Sequence, residues 1–246
     1  MVQHGIRINS SIEAASVNVI YEILEAVNNR LSVGGIFCDL DKALDCVNHG
    51  ILVGKLKFYG ISGKFPTFIQ SYFRGRYQKL LIDKINAYDN VSSRWKKVTN
   101  GVLQGLILGP LLFLININDL PKITDIDAEV VLFADDTGII VTNSNQGGLQ
   151  TALNKTLSDI ISWFKDNFLL LNFNTTYYLQ YRTTNCIDTT SDINCFNKTI
   201  AIVPYTKFLG LVIDDTPTWD DHYFHFSMQK YVYINGQLIA LFIIFF

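Results

Sequence analysis

Cysteine is scarce and unpatterned in this chain. Cys38, Cys46, Cys186 and Cys195 are the only four in 246 residues and no two are spaced as C-x-x-C. That spacing argues against a zinc site or a disulfide framework and leaves free thiols in a reducing compartment as the default. An excess of positive charge is also missing. Twenty Lys and Arg stand against 22 Asp and Glu, a formal net charge of −2. A strongly basic, autonomous nucleic-acid binder is therefore not expected, because neutralising phosphates takes a positive surface. Long apolar runs are absent too. The C-terminal run Leu238 to Phe246 holds nine apolar residues, where a membrane span needs about 20. No basic segment followed by an apolar one opens the chain, so neither a secretion signal nor a membrane partner is expected, and an intracellular location, nuclear or cytoplasmic, is. His4, His49, His222 and His225 are scattered, and the last two, three apart, have no acidic pattern around them to complete a metal site. Internal repeats are lacking.

What the chain does have is enough apolar content, 49%, to bury the core of one compact domain with subdomains. Charge is locally concentrated. Between positions 55 and 79, Lys55, Lys57, Lys64, Arg74, Arg76 and Lys79 occur without one Asp or Glu, interleaved with seven Phe and Tyr. That mixture suits contact with a nucleic-acid backbone plus base stacking; a solvated basic helix face over an aromatic core accounts for it equally well.

The acids carry more information. Asp135 and Asp136 lie between the apolar runs Val130-Val131-Leu132 and Ile139-Ile140-Val141, the pattern of a β-hairpin with the two carboxylates at its tip. Adjacent like charges repel unless they are solvated or neutralised by a cation, so a surface turn and a metal site compete as readings. A third acid, Asp39, ends the short apolar run Gly34-Gly35-Ile36-Phe37-Cys38, which is long enough for a buried strand. Carboxylates converging from separate segments are what two-metal phosphoryl transfer requires. Asp41 and Asp45 are rivals to Asp39, and spacing alone does not choose among them.

Four blocks then resemble the reverse transcriptase of non-LTR (LINE-type) retrotransposons, in the family's order. They are IFCDLDKALDCVNHGILVGKLK at 36–57, GVLQGLILGPLLFLININDLP at 101–121, LFADDT at 132–137 and TKFLGLVID at 206–214. A further segment, Gln3-His4-Gly5-Ile6-Arg7 with Ser11, is similar to the family's Q-x-G-F-R fingers motif. The resemblance implies an α+β right-hand palm with partial fingers and a thumb largely missing. It divides the chain into 1–33 as partial fingers, 34–47 as palm, 48–100 as a fingers insertion, 101–215 as palm and 216–246 as a degenerate start of thumb. It implies RNA-directed DNA polymerase activity, with deoxynucleoside triphosphates added to a DNA primer on an RNA template. Asp39, Asp135 and Asp136 would be the catalytic acids holding two Mg2+ ions, with Mn2+ as the alternative. Arg7, Leu44, Gln104 and Gly105 would touch nucleotide or template, and Phe208, Leu209 and Gly210 the primer.

The chain departs from the family pattern at several of these positions. Leu44 replaces an aromatic that excludes a 2'-hydroxyl, Leu103 and Leu106 replace Pro and Ser beside Gln104-Gly105, and Thr175 replaces a lysine placed to protonate pyrophosphate. Weak sugar selectivity and weak activity of this chain are the corresponding expectations. Two other readings stand beside the enzyme: an inactive nucleic-acid-binding remnant, and a structural protein whose Asp-Asp turn does no chemistry.

Periodicity predicts helices over 12–31, 51–59, 64–73, 107–119 and 147–168. It predicts strands running into Asp39, at 78–83 and 94–99, on both sides of the 130–142 hairpin, at 177–182 and at 208–213, and a loop over 183–197.

Overall fold

The structure is a computed structural model, and it describes residues 3–5, 10–82, 91–105, 107–125, 127–181, 193–195, 198–215, 230–234 and 237–241. In chain order the elements begin with α1 (Ile12–Asn28), β1 (Ser32–Cys38), β2 (Leu40–Asp41), α2 (Ala43–Cys46), α3 (His49–Phe58) and α4 (Lys64–Phe73). Short strands β3 (Tyr77–Gln78), β4 (Leu81–Ile82), β5 (Val91–Ser92) and β6 (Lys96–Lys97) precede α5 (Leu108–Ile117). Then come β7 (Ala128–Phe133), β8 (Asp136–Asn143), α6 (Gln146–Asp166), β9 (Leu170–Leu171), β10 (Tyr177–Tyr181), β11 (Ile193–Cys195), β12 (Lys198–Ile202), β13 (Tyr205–Phe208), β14 (Leu211–Asp214), β15 (Lys230–Ile234) and β16 (Gln237–Leu241). The chain divides into two units, Met1–Asp41 with Asn118–Phe246, and Lys42–Ile117.

The first unit is built on a six-stranded sheet of order β11-β12-β10-β1-β8-β7, antiparallel except for the β10–β12 pair. β1 lies in its interior, and six of its seven residues are buried, which is why it reads in sequence as a continuous short apolar run rather than an alternating one. Val33 and Phe37 join Ala15, Val19 and Ile23 of α1 in one apolar cluster, while Gly34 lies against Leu153 of α6. The sheet is thus covered by a helix on each face, and every second residue of β1 faces a different helix. α1 starts where Ser11 accepts a hydrogen bond from the Ala14 N–H; α6 starts likewise on Asn145, whose side chain accepts from Gly148. These caps satisfy N–H groups that a helix end leaves unpaired.

The second unit packs α3 against α4 and α5, with Leu52, Leu56, Ile69 and Leu112 fully buried. The His49 ring stacks on Phe73 at 3.8 Å between centroids, and its Nε2–H donates to the Gly101 carbonyl at 2.8 Å.

Several expectations need correction. Residues 208–213 are not one strand: Leu209 and Gly210 take φ values of 51° and 79° and make the two-residue turn of the β13–β14 hairpin, the both-positive geometry of a type I′ turn. An apolar run hid the turn because leucine is an uncommon residue for it. The strands expected at 78–83 and 94–99 are instead two short ladders, Tyr77–Gln78 with Lys96–Lys97 and Leu81–Ile82 with Val91–Ser92, the last of these lying ahead of 94, and residue 83 lies outside the described residues. The loop expected over 183–197 contains strand β11, hydrogen-bonded to β12; residues 182–192 and 196–197 lie outside the described residues, as does most of 216–246. Within that last stretch β15 and β16 pair as a hairpin. Among the described residues no helix is long and apolar enough to cross a membrane.

Candidate active site

Strand register brings the acids together. β1 and β8 are antiparallel neighbours with Cys38 opposite Thr137, so the next position on each side sets Asp39 against Asp136 at the same end of the sheet, where cross-strand partners are about 5 Å apart. β7 and β8 are joined by Ala134 and Asp135, with Phe133 paired to Asp136. The Asp-Asp pair therefore sits at a hairpin tip. The charges are felt mutually: the carboxyl of Asp136 is pushed up to about 6, first by the protein packed on one side of it and then by Asp135 and Asp39. Asp136 as a residue is otherwise open to solvent. Asp41 is exposed on β2, paired across to Leu170, and Asp45 is exposed on α2. Of these acids it is Asp39 that the β1–β8 register sets beside Asp136.

Asp39 is held from a second direction by the segment after α6. The Thr175 hydroxyl donates to Asp39 Oδ2 at 2.6 Å. Asp39 N–H donates to the Thr176 hydroxyl at 3.3 Å, and the Asp39 carbonyl accepts from Asn172 N–H at 2.9 Å. Thr175, which the sequence marks only as a missing lysine, is a hydroxyl donor to the acid itself. Cys38 beside it is buried and its thiol is pushed up to about 12, by burial first and by Asp39 second, so it is an inert core group rather than a nucleophile.

The hairpin tip is strained and supported. Ala134 has φ 54°, a conformation that costs a non-glycine residue about 1–2 kcal/mol, and such strain persists only where neighbours hold it. The N-terminal segment does so. His4 N–H donates to the Leu132 carbonyl at 2.7 Å, and the buried Gln3 side chain accepts from Ala134 N–H at 3.2 Å and from Gly5 N–H at 2.7 Å. A Cβ on Gly5 would fall 2.6 Å from the Ala134 nitrogen, so only glycine lets the segment lie this close. Sequence reading singled out Arg7 of this motif and passed over Gln3 and Gly5. Arg7 lies outside the described residues.

The other predicted residues fall elsewhere. The Phe208 ring lies over Gly138 of β8 and 5.0 Å from the Phe37 ring, underpinning the strands that carry the acids, with Leu209 and Gly210 in the turn beyond it. Leu44, half-buried in α2, accepts from Val102 N–H through its carbonyl. Gln104 and Gly105 form an exposed turn ahead of α5, with Gly105 at φ 85°, and a Cβ on Gly109 would meet the Leu103 carbonyl oxygen, which packs that turn onto the helix. Leu106 lies outside the described residues.

Among the described residues no three His, Cys, Asp or Glu side chains are grouped as they stand to hold a metal ion. The donor set fits one nonetheless. Mg2+ is commonly held by one or two carboxylates with the remaining positions filled by substrate phosphates and water, and the repulsion that lifts Asp136 is the kind a cation relieves.

A helix-covered sheet with two acids at a hairpin tip and a third ending the adjacent strand is a polymerase palm. Residues 1–212 match the family described as reverse transcriptase (RNA-dependent DNA polymerase), and the chain belongs to that family. It is similar to the RNA-directed DNA polymerase from mobile element jockey of Drosophila melanogaster, 25% identical over 228 residues, which cover 89% of this chain and 24% of that protein. It is similar also to the probable RNA-directed DNA polymerase from transposon BS of the same species, at 24% identity and the same two coverages. The chain therefore spans about a quarter of the length of these relatives, and both being mobile-element polymerases agrees with the retrotransposon resemblance. The structure of apo telomerase from Candida tropicalis truncated from its C-terminal domain superposes with a TM-score of 0.52 at 16% identity, over 84% of this chain and 39% of that one; that likeness is one of fold.

Proposed function

We propose that this chain carries the template-directed nucleotidyl-transfer site of a retrotransposon reverse transcriptase, and that Asp39, Asp135 and Asp136 are its catalytic acids. The observation that carries the reading is the β1–β8 register, which sets Asp39 beside Asp136 although nearly a hundred residues separate them in sequence. Bound divalent ions, two Mg2+ or in their place Mn2+, would supply Lewis-acid stabilisation of the α-phosphate and lower the pKa of the primer 3'-hydroxyl. The three carboxylates would hold them, Asp39 and Asp136 from facing strands and Asp135 from the exposed tip. Thr175 fixes the Asp39 carboxylate in one orientation, the Gln3–Gly5 segment fixes the hairpin tip, and Phe208 supports both strands from beneath. RNA template, DNA primer and deoxynucleoside triphosphates are the substrates of this reading. The stretch 48–100 serves as fingers, 34–47 and 101–215 as palm, and 216–246 as the approach to a thumb.

The test is extension of a labelled DNA primer on an RNA template by a chimera in which this chain replaces the matching segment of an active relative. Metal-dependent extension that is lost in both Asp39→Asn and Asp136→Asn is expected; extension by either variant at the parent's rate would refute the assignment. Thr175 gives a finer expectation. Thr175→Val keeps the shape and deletes the donor, and groups that orient a metal ligand are worth about 10-fold or more in metal affinity. Mn2+ titration of the unaltered chain and of this variant should differ by about that factor, with Thr175→Ser close to the parent. Equal affinities for the Thr and Val forms would remove Thr175 from the site.

A further inference from the structure

The net charge of −2 conceals a division. Lys42–Ile117 carries eleven Lys and Arg against three Asp, while the remainder of the chain carries nine against nineteen acids. One unit is thus strongly basic, and the basic charge is not spread evenly within it. A cavity of about 660 Å³ opens there among α3, α4 and β6, and Lys57, Arg74, Lys97, His49, Gln70 and Thr99 line it, with no carboxylate among the described residues.

The three cations come from separate segments. Lys57 lies in the last turn of α3. Arg74 closes α4, where its backbone N–H returns to the Gln70 and Ser71 carbonyls. Lys97 lies on β6, paired with Tyr77 on β3. Cations on one solvated helix face would not converge on a shared hollow, and their convergence with no acid among the described lining residues favours an anion. Directly paired residues of two antiparallel strands share a face, so exposed Tyr77 stands beside Lys97. Adjacent to Lys57, Phe58 is 77% exposed. A hollow of this volume is ample for a nucleotide unit, and cations with an exposed aromatic ring beside one of them, as Tyr77 is beside Lys97, are a recurring means of holding single strands.

We propose that this hollow is a binding site for the sugar-phosphate backbone of single-stranded nucleic acid, with Lys57, Arg74 and Lys97 on successive phosphates and Tyr77 offering a stacking face to a base. Taking that strand to be the unpaired part of an RNA template rests on the polymerase reading above. The chemistry of the hollow itself does not depend on catalysis, and no described residue lining it is an acid that would hold a divalent ion.

The experiment is fluorescence anisotropy of a labelled oligouridylate titrated with the full 246-residue chain, in chelator and over a range of salt. Arg74→Glu with Lys97→Glu should weaken binding about 10-fold or more at low salt. It should also flatten the dependence of log affinity on log salt by about 0.7 for each phosphate no longer neutralised. Tyr77→Ala should weaken binding about fivefold or more with little change in salt slope. Lys57→Gln, a milder change at an exposed position, should lower both affinity and slope. It covers the case in which the double variant fails to fold by circular dichroism. Lys165→Glu, at the exposed end of α6, should leave both unchanged. Inorganic pyrophosphate added as competitor separates a strand site from a free-phosphate site, and displacement at micromolar pyrophosphate would overturn the strand assignment. Folded pocket variants that bind with the parent's affinity and slope would overturn the site, as would no binding by the parent chain. Neither result touches the acids, whose reading fails separately if Asp136→Asn leaves Mn2+ affinity unchanged.

Discussion

Asp136→Asn is expected to abolish metal-dependent nucleotidyl transfer, lowering the rate by about a thousandfold or more, and at the same time to make the metal-free protein more stable at neutral pH. The two effects have one source. Folding places Asp136 against packed protein and beside Asp135 and Asp39, and its carboxyl is pushed up to about 6. A pKa raised by folding means that the charged form is the one folding disfavours. Stability is therefore greatest while Asp136 is protonated, below the ordinary aspartate value of about 4, and falls as pH rises through about 6. Because the residue is open to solvent on one side, the penalty above that pH is on the order of 1 kcal/mol after allowance for screening. Replacement by asparagine should accordingly raise the thermal midpoint by roughly 2–4 °C near neutrality, with the gain shrinking as pH is lowered towards about 4. Mg2+ should raise the midpoint of the parent and not of the variant. A variant less stable than the parent at neutral pH would mean that the Asp136 charge is not under strain.

Gly5→Ala is expected to damage the site from a distance. Its Cβ would meet the Ala134 nitrogen at 2.6 Å, and both partners are backbone, so the Gln3–Gly5 segment must lift from the hairpin tip. Ala134, held at φ 54°, is then deprived of the acceptor that Gln3 gives its N–H, and the tip is free to relax and carry Asp135 and Asp136 with it. Overpacking of this kind costs about 1–3 kcal/mol of stability, and misplacing reacting groups by about 1 Å costs about 100-fold in rate. Gln3→Ala should produce a weaker form of the same defect. Thermal melts and Mn2+ titration check both variants. If Gly5→Ala lowers the midpoint but leaves Mn2+ affinity and transfer untouched, the segment is structural only.

Legibility in the sequence tracked how local the determining physics is. The acidic hairpin was readable because two apolar runs, 130–132 and 139–141, flank a short gap that carries the acid pair, and register, once the strands pair, follows from the side-chain period of two. α1 and α6 were readable from apolar spacing and caps, whereas the apolar run before Asp39 left it level with Asp41 and Asp45 until the family resemblance singled it out. What stayed hidden depended on long-range approach. Nothing in the string Leu209-Gly210 distinguishes a hairpin turn from a strand interior until Phe208 is anchored on Phe37 and Gly138. The grip of Thr175 on Asp39 spans the whole palm, and the sequence registered that position solely as a departure from a family pattern. Gln3 and Gly5 act through a contact with Ala134 that no spacing encodes. The basic hollow was legible as composition between 55 and 79 but not as a site, because Lys97, which completes it, arrives from a strand beyond that stretch.

The most direct measurement is Mn2+ binding to the purified chain near neutral pH, followed by electron paramagnetic resonance with and without a deoxynucleoside triphosphate. The parent should bind Mn2+, more tightly with the triphosphate present, and Asp39→Asn and Asp136→Asn should each lose most of that affinity while remaining folded. Binding of equal strength by the parent and by the Asp39→Asn/Asp136→Asn double variant would contradict the account, because the convergence of these two carboxylates would then serve no metal.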